Sequence, residues 1–286
     1  MIRHRIPAAI AGLGVLFALT ACGSSDSSST SAGSSDCKPA HTFSTVKKGV
    51  LTVALTDTPP YSYSKDGKLA GIDSELLKEF ATAECLTLEF APYTYATAVP
   101  AVSTGRADVA IGGFYRTEKR AKVVTLSDPV YLDQLAVESK EGISTVDGLL
   151  GKRVGTVEGY LWVEEMKKLA GNKARTYADS VNLFQDVKAG RLDIGLDGYG
   201  AAAQATKGTD YQVKVLEKDP RMPATLNPTQ TSFLLNPKNA ELATAVNASL
   251  KGLRDNGKLA SILESNGLPA SAAEVGNPRV VDLSSP

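Results

Sequence analysis

Histidine is nearly missing from this sequence, whose 286 residues include only His4 and His41. His4 falls in the N-terminal leader, and His41 precedes the first predicted strand. Catalytic centres of the Ser-His-Asp or Cys-His type, and histidine-rich zinc sites, need a histidine among their functional groups. A Gly-rich phosphate-binding loop is also absent. The sequence therefore predicts neither a triad enzyme nor a metal site, and no cofactor.

A surplus of charge of one sign is absent too. Lys and Arg together number 31, and so do Asp and Glu. No basic surplus indicates nucleic-acid binding, and no acidic surplus indicates disorder. Hydrophobic residues make up 43% of the chain, which is enough to bury a sizeable core. A chain of this length fits two compact lobes rather than one small domain.

One long apolar run without charge, Ile6–Leu19, follows Arg3 and Arg5. It is short for a membrane span and is typical of a signal peptide with a basic start. It runs into Leu19-Thr20-Ala21-Cys22, which resembles a bacterial lipobox, where small residues admit the signal peptidase and the cysteine thiol receives diacylglycerol. We expect a signal peptide over residues 1–21 and lipidation at Cys22. An ordinary secretory signal with a chance cysteine is the alternative.

The next segment has little that could build a core. Gly23–Asp36 contains only Gly, Ser, Thr, Ala and Asp, a composition typical of a flexible tether. We therefore assign residues 22–44 to the lipidated cysteine and a Ser/Gly-rich tether. In an exported protein the remaining two cysteines, Cys37 and Cys85, can form a disulfide. Two unpaired thiols are the alternative.

The folded region alternates between strands and helices, which is typical of an α/β fold with largely parallel sheets covered on both faces. Asp73 is predicted as the N-cap of the first helix. Hydrophobic periodicity predicts a helix over Ala240–Leu253 and another over Lys258–Ser265. The small and polar residues from Pro269 onward predict a loosely ordered end. The strands predicted at the start of the fold are Val50–Leu55, Leu86–Phe90 and Val109–Ile111.

A short internal similarity points to two lobes of the same plan. Gly105-Arg106-Ala107-Asp108 opens one apolar strand, and Gly190-Arg191-Leu192-Asp193 opens another 85 residues later. The similarity is short enough for chance to be an alternative. Ligands of open α/β sheets bind at the carboxyl ends of the strands. Two facing lobes would thus form a cleft.

Several segments together resemble the family 3 extracellular solute-binding proteins, the polar amino-acid receptors of ABC importers. The resemblance runs from about Val50 to Leu268 and rests on the order and spacing of its segments. It implies a two-lobed periplasmic-binding-protein type II fold, each lobe a largely parallel sheet flanked by helices. The implied boundaries are 45–134 and 229–268 for the first lobe, 135–228 for the second and 269–286 for a C-terminal tail. The segments that carry it are Asp57 with Pro60-Tyr61, Asp66–Asp73, Gly105–Asp108, Thr117–Arg120, Leu126–Tyr131, Gly151–Gly155 and Gly190–Asp193.

The resemblance also implies the ligand site. In the family the arginine of a Thr-x-x-Arg segment, here Arg120, pairs with the ligand carboxylate, and a guanidinium fork suits that role. A surface arginine is the alternative. Main-chain groups of Gly112 and Gly113 would help to hold the carboxylate, next to Tyr115 in place of the usual small hydroxyl residue. The family's ligand side-chain contacts fall on Asp57 and, with inward packing as the alternative, on Tyr61.

The second lobe departs from the family pattern. Gly159 and Tyr160 stand where many members carry Gly-Thr-Thr. The aspartate that holds the ligand's α-ammonium group would fall at Gly198, and Asp197 precedes it by one residue. Either Asp197 takes this role or the group is absent. Tyr115, Tyr160, Trp162 and Tyr199 follow strands and could contact a cationic or aromatic ligand; packing between the lobes is the alternative.

The function implied is a substrate-binding lipoprotein of an ABC importer, not an enzyme. It would capture a small amino acid or related polar solute by closing its lobes. Its partners would be permease and ATPase subunits and, through the lipid anchor, the outer face of the cell membrane; a monomer without nucleic acid is expected. Enzymes of the same fold (cyclohexadienyl dehydratase-like or lytic transglycosylase-like) and a ligand sensor are alternatives, because fold alone does not decide function.

Overall fold

The structure is a computed structural model that describes residues 37–282. Two five-stranded sheets organise these residues. The first sheet has the strand order β4-β1-β5-β14-β6, and its strands are β1 (Val50–Leu55), β4 (Thr87–Pro92), β5 (Val109–Ile111), β6 (Thr125–Leu126) and β14 (Leu234–Leu235). The second has the order β10-β9-β11-β8-β12, with β8 (Leu135–Ser139), β9 (Val154–Val157), β10 (Ala174–Tyr177), β11 (Ile194–Gly198) and β12 (Gln212–Val215).

The two sheets share one plan. In the first, β1 pairs in parallel with β4 and β5, and β14 pairs antiparallel with β5 and β6. In the second, β9 pairs in parallel with β10 and β11, and β8 pairs antiparallel with β11 and β12. The α/β class is confirmed, and each sheet is mixed. Three parallel core strands are followed by one antiparallel strand (β14 or β8) and then by an edge strand (β6 or β12) that again runs in the direction of the core.

The chain crosses between the sheets twice, and the two crossings pair with each other. Strand β7 (Leu132–Asp133) leads from the first sheet to the second, and β13 (Thr229–Gln230) leads back. They are antiparallel, with Asp133 opposite Thr229. We call the first sheet with its helices the first lobe, the second sheet with its helices the second lobe, and the β7–β13 pair the hinge. The hinge places Asp133 between the lobes.

Helices cover both sheets. Within residues 37–282, no helix has both the length and the apolar character needed to cross a bilayer. A small ribbon of β2 (Tyr63–Lys65) and β3 (Lys68–Ala70) precedes the first helix. The helices are α1 (Ile72–Ala83), α2 (Tyr95–Ser103), α3 (Glu118–Ala121), α7 (Ala240–Asp255) and α8 (Lys258–Ser265) in the first lobe, and α4 (Val163–Ala170), α5 (Ser180–Lys188) and α6 (Tyr199–Thr206) in the second.

The hydrophobic pattern predicted the helix α7 because that helix buries one apolar face. Asn239 is its N-cap, and the side chain accepts a hydrogen bond from the Leu242 N–H, which satisfies one of the free donors of the first turn. The buried face carries residues three and four apart, each stabilising the fold by roughly 1.5–3 kcal/mol when it is a leucine or valine. These residues are Leu242, Ala245, Val246, Leu250 and Leu253.

Asp73 is not the N-cap of α1, contrary to the expectation from the sequence. The N-cap is Gly71, and Asp73 lies in the first turn with its side chain buried. Its carboxylate accepts hydrogen bonds from the N–H groups of Gly112 and Gly113 and from the Tyr131 hydroxyl. The carboxylate therefore ties α1 to the loop after β5 instead of capping its own helix.

The internal similarity of the two Gly-Arg-x-Asp segments has a structural cause. The Asp108 carboxylate accepts a hydrogen bond from the Thr52 N–H at 2.8 Å, in the first strand of the first lobe. The Asp193 carboxylate accepts one from the Arg153 N–H at 2.8 Å, next to the first parallel strand of the second lobe. In each lobe the aspartate thus fastens the start of a strand to the turn after a helix.

Both ends of the described chain are attached to the first lobe. Residues 37–44, assigned from the sequence to the tether, are held by the Cys37–Cys85 disulfide, by His41 against Glu84 and by stacking of Phe43 on Phe80. Cys22, Gly23–Asp36 and the signal peptide lie outside the described residues.

The segment from Pro269 is not loosely ordered as expected. It contains a 3-10 turn at Ala270–Ala273, and Val275 is buried. The Gln230 side chain, at the hinge, donates to the Val275 carbonyl, and the Val281 N–H donates to the Arg116 carbonyl. Small residues here fit closely against the first lobe, which composition alone does not reveal.

Replacing both Cys37 and Cys85 by serine tests the covalent attachment. The disulfide closes a loop across a sequence separation of 48 residues, and such a link mainly restricts the unfolded chain. We expect the double variant to lose about 2–4 kcal/mol of unfolding free energy in urea denaturation. A reductant should lower the stability of the wild type to that of the variant and leave the variant unchanged. Equal stability of the two proteins would contradict the prediction.

Candidate functional site

A narrow cavity lies where the two lobes and the hinge meet. The space open to the centre of a water molecule is about 10 Å³, which is room for roughly one water. The lobes are therefore closed over it. Side chains at strand ends of both lobes and one hinge residue form its walls, as expected for α/β sheets. They are Tyr61, Tyr95, Gly112, Gly113, Tyr115, Arg120, Asp133, Tyr160, Leu161, Trp162 and Gly198. We call this space the central cavity.

Arg120 brings a buried positive charge into the central cavity. It belongs to α3, whose N-cap Thr117 accepts a hydrogen bond from the Arg120 N–H. The guanidinium donates to the Tyr115 carbonyl at 2.7 Å and, across the cleft, to the Gly159 carbonyl at 3.1 Å. Within the part of the chain that the structure describes, no carboxylate forms an ion pair with it. The site thus offers a cation to an anion from outside.

Aromatic rings surround that guanidinium. Its central carbon lies 5.1 Å from the ring centre of Tyr95 and 5.2 Å from that of Phe114, within the range of cation–π attraction. Tyr160 from the second lobe meets Tyr95 edge-on at 4.7 Å, and Trp162 meets Tyr160 edge-on at 5.1 Å. The aromatic residues therefore orient Arg120 and also pack the lobes together. Tyr95 was not predicted as a site residue, because no motif in the sequence singles it out.

The N–H groups of the two glycines expected to hold a ligand carboxylate already donate hydrogen bonds within the protein. The N–H groups of Gly112 and Gly113 each donate to Asp73 at 2.9 Å, so neither points freely into the central cavity. Burial raises the pKa of Asp73 to about 6, against the lowering effect of these hydrogen bonds. Asp73 is thus a supporting residue of the site that the sequence did not reveal.

Asp133 is the second functional residue that the sequence did not reveal. Its Oδ2 atom accepts hydrogen bonds from the hydroxyls of Tyr61 and Tyr115, both at 2.7 Å. Burial raises the pKa of Asp133, and the hydrogen bonds partly oppose that rise. No lysine or arginine of residues 37–282 forms an ion pair with it. A buried carboxylate thus lies in the central cavity opposite the buried arginine.

Tyr61 both packs inward and lines the central cavity, the two alternatives that the sequence left open. Its ring packs inward against Tyr131, with ring centres 5.8 Å apart. Its hydroxyl donates to Asp133 and accepts from the Gly200 N–H of the second lobe at 2.9 Å. One tyrosine therefore connects the first lobe, the hinge and the second lobe.

Asp197 turns away from the central cavity. Its carboxylate accepts hydrogen bonds from the Tyr160 hydroxyl at 3.0 Å and the Gly198 N–H at 2.7 Å. Burial raises the pKa of Asp197 to about 7, and the pKa of its buried neighbour Glu138 lies well above the ordinary value, first through burial and then through Asp197. Asp197 positions Tyr160 and does not itself line the cavity.

Asp57 and Tyr199 also lie outside the walls of the central cavity. Asp57 is exposed, and partial burial together with repulsion from Asp179 of the second lobe raises its pKa. Tyr199 is 38% exposed. Within the described residues, no group of three or more His, Cys, Asp or Glu side chains could hold a metal ion. The predicted site residues that the structure brings together at the central cavity are Tyr61, Gly112, Gly113, Tyr115, Arg120 and Tyr160.

The variant Asp197→Asn tests whether the raised pKa of the buried Asp197 carboxyl makes the unfolding free energy depend on pH. A folded pKa of about 7, against 3.8 as the ordinary value, means that the folded state holds the extra proton between about pH 4 and pH 7. The unfolding free energy therefore falls as the pH rises through that window. Urea denaturation should show that the wild type loses more stability than Asp197→Asn from about pH 5 to about pH 8, by on the order of a few kcal/mol. The exposed control Asp210→Asn should follow the wild type; a wild-type slope in Asp197→Asn would contradict the assignment.

Comparisons with known proteins agree with this architecture. The ArtP arginine-binding extracellular protein of Bacillus subtilis is 28% identical over 251 residues, 86% of this chain and 91% of that protein. The L-cystine-binding protein TcyJ of Escherichia coli K12 is 27% identical over 225 residues, covering 76% and 82%. A crystal structure of the amino acid ABC transporter substrate-binding protein AbpA from Streptococcus pneumoniae, bound to L-arginine, superposes with a TM-score of 0.68 at 27% identity, covering 80% and 98%.

The solved neighbours are type II periplasmic binding proteins, so the predicted two-lobed fold is confirmed. The sequence profile described as bacterial extracellular solute-binding proteins, family 3, matches residues 51–267. That range contains both sheets except Val50, together with the hinge and every wall of the central cavity. The chain belongs to the bacterial extracellular solute-binding proteins of family 3.

Proposed function

We propose that this protein captures a small amino acid or an amino-acid-like solute for an ABC importer. The observation that carries the proposal is Arg120, a buried cation at the meeting point of the lobes without a carboxylate partner among the described residues. Burying a charge costs several kcal/mol unless the charge is paired. A ligand carboxylate can accept two parallel hydrogen bonds from one guanidinium. The ligand would thus supply the missing partner.

The ligands named for the relatives support an amino acid. Arginine and cystine are named for two sequence relatives, and L-arginine is bound in the solved neighbour. Both compounds carry an α-carboxylate and an α-ammonium group. We propose that the ligand contacts the cavity walls predicted from the sequence, with Gly159 acting through its carbonyl on Arg120. Those walls are Tyr61, Gly112, Gly113, Tyr115, Arg120 and Tyr160.

Closure of the lobes is the proposed mechanism. Space for about one water excludes an amino acid, so the lobes must separate before a ligand can enter. In the closed state the lobes are in close contact: a Cβ atom on Gly159 would lie 3.1 Å from the Cα atom of Ala96, and Tyr160 meets Tyr95 edge-on. The hinge strands β7 and β13 are the only backbone connections between the sheets in residues 37–282. A ligand that bridges both lobes favours the closed state because only that state makes both sets of contacts.

The cellular arrangement follows from the leader. We propose that residues 1–21 are removed and that lipidated Cys22 anchors the protein to the outer face of the cell membrane. Two acyl chains suffice for stable anchoring, whereas one does not. The permease, with its ATPase subunits, would then bind the closed form of a monomeric receptor. The relatives named above are described as binding proteins, which favours a receptor over an enzyme.

Arg120→Ala tests the proposal. Trp162 is the single tryptophan of the chain and lines the central cavity, so its fluorescence reports ligands there. Titration with L-arginine, L-cystine and L-histidine should identify a ligand, and Arg120→Ala should weaken its binding roughly 10–100-fold through loss of charge-assisted hydrogen bonds. Arg120→Lys should bind with intermediate affinity because an ammonium lacks the fork.

Arg106→Ala is the matched control, since Arg106 is exposed and its guanidinium bonds to Thr104 at the surface. It should bind as the wild type does. Wild-type affinity in Arg120→Ala would overturn the proposed carboxylate site.

Cys22→Ser tests the anchor. Without the thiol, no diacylglycerol can attach, so the protein should leave the membrane fraction and lose incorporation of labelled palmitate. The variant with both Cys37 and Cys85 replaced by serine is the control and should keep its label. Unchanged membrane attachment of Cys22→Ser would show that another segment holds the protein.

A further inference from the structure

Asp133 is a buried carboxylate in the wall of a ligand cavity, and it has no cationic partner among the described residues. We propose that Asp133, on the hinge, binds the α-ammonium group of the ligand and so selects amino acids over simple carboxylic acids. This assignment rests on the proposed function, because it assumes that an amino acid enters the central cavity. It gives the site a negative subsite to complement Arg120.

The surroundings of Asp133 call for a positive charge. The hydroxyls of Tyr61 and Tyr115 donate to it, but both donors are neutral. Further buried carboxyls, those of Asp73 and Asp197, lie in the same region of the fold. A carboxylate removed from water without a countercharge is destabilising. An ammonium group supplies that charge with three N–H donors, which the carboxylate and the tyrosine hydroxyl oxygens can accept.

Gly198 makes room for this carboxylate. A Cβ atom at position 198 would lie 2.5 Å from Oδ2 of Asp133 and 3.0 Å from the Tyr61 hydroxyl oxygen. Any side chain at the end of β11 would therefore collide with Asp133. The carboxylate from the hinge fills the place that a side chain at 198 would otherwise occupy. Asp197 cannot do the same, since it is bonded to Tyr160 outside the cavity wall.

Tyr115 sets the spacing between the two charged groups. Its carbonyl accepts from Arg120 at 2.7 Å, and its hydroxyl donates to Asp133 at 2.7 Å. Arg120 and Asp133 therefore lie at opposite ends of one tyrosine. An α-amino acid carries its carboxylate and its ammonium group on the same carbon atom, so one ligand can meet both charged groups. The arrangement selects a ligand with both charges.

Isothermal titration of the wild-type protein makes the first test. The probes are L-arginine and L-histidine, each beside its analogue without the α-ammonium group, 5-guanidinopentanoate and imidazole propionate. We expect the tighter amino acid to bind roughly 10–100-fold more tightly than its analogue, as for a charge-assisted hydrogen bond. Equal binding of amino acid and analogue overturns the assignment to Asp133 but leaves the carboxylate site at Arg120 intact. Failure of both amino acids and both analogues to bind overturns the assignment together with the proposed function.

Asp133→Asn provides the second test. The amide keeps the shape and removes the charge, so affinity for the amino acid should fall to that of the analogue while affinity for the analogue stays unchanged. Asp128→Asn is the matched control, because Asp128 precedes the hinge, is exposed and lies outside the cavity wall. It should keep the wild-type preference. An Asp133→Asn variant that keeps this preference overturns the assignment.

Moving the carboxylate from position 133 to position 198 provides a third test, which remains available if Asp133→Asn does not fold. Asp133→Ser removes the nearest obstacle to a side chain at 198, and Gly198→Asp in the same chain places a carboxylate there. We expect this double variant to prefer the amino acid over its analogue by about tenfold, whereas Asp133→Ser alone shows no preference. A double variant without preference, or a single variant with the wild-type preference, overturns the proposal.

Discussion

Burial of charge between two lobes is the constraint on which the rest of the structure depends. Arg120 and Asp133 face one narrow cavity without ion-pair partners in the described chain, and both are held by neutral groups: backbone carbonyls for the guanidinium, tyrosine hydroxyls for the carboxylate. Such an arrangement leaves each charge incompletely compensated. We propose that a dipolar ligand completes both at once. The free energy of that pairing is what can hold the lobes closed.

Much of the scaffold could be predicted because it depends on local pattern. The helix Lys258–Ser265 and the strand Val50–Leu55 have the bounds expected from hydrophobic periodicity. The paired Gly-Arg-x-Asp segments indicated two lobes, and Asp108 and Asp193 show the physical reason: each carboxylate holds the start of a strand. Arg120 could be placed in the site because a four-residue segment carries it.

Other features depend on distant parts of the chain and were beyond the sequence. Asp73 stands before the apolar residues of a predicted helix, a usual setting of an N-cap, yet its carboxylate accepts hydrogen bonds from Gly112 and Gly113, about 40 residues away. Asp133 is a single acid after an apolar segment, and only the pairing of β7 with β13 places it between the lobes. Asp197 lies on the strand that ends at the cavity, but its side chain contacts Tyr160. Neighbouring residues of a strand point to opposite sides, so Asp197 points away from the side on which Gly198 lines the cavity.

A crystal structure with bound ligand would show whether Arg120 and Asp133 hold the two charged groups of an amino acid. The protein would be crystallised with whichever of L-arginine, L-cystine and L-histidine binds most tightly. We expect electron density for one molecule between the lobes, with its carboxylate on the guanidinium of Arg120 and its α-ammonium group on Asp133. A ligand bound elsewhere, for example in the groove beside Phe184 and Ala205, or one that leaves Arg120 without a carboxylate, would contradict this expectation.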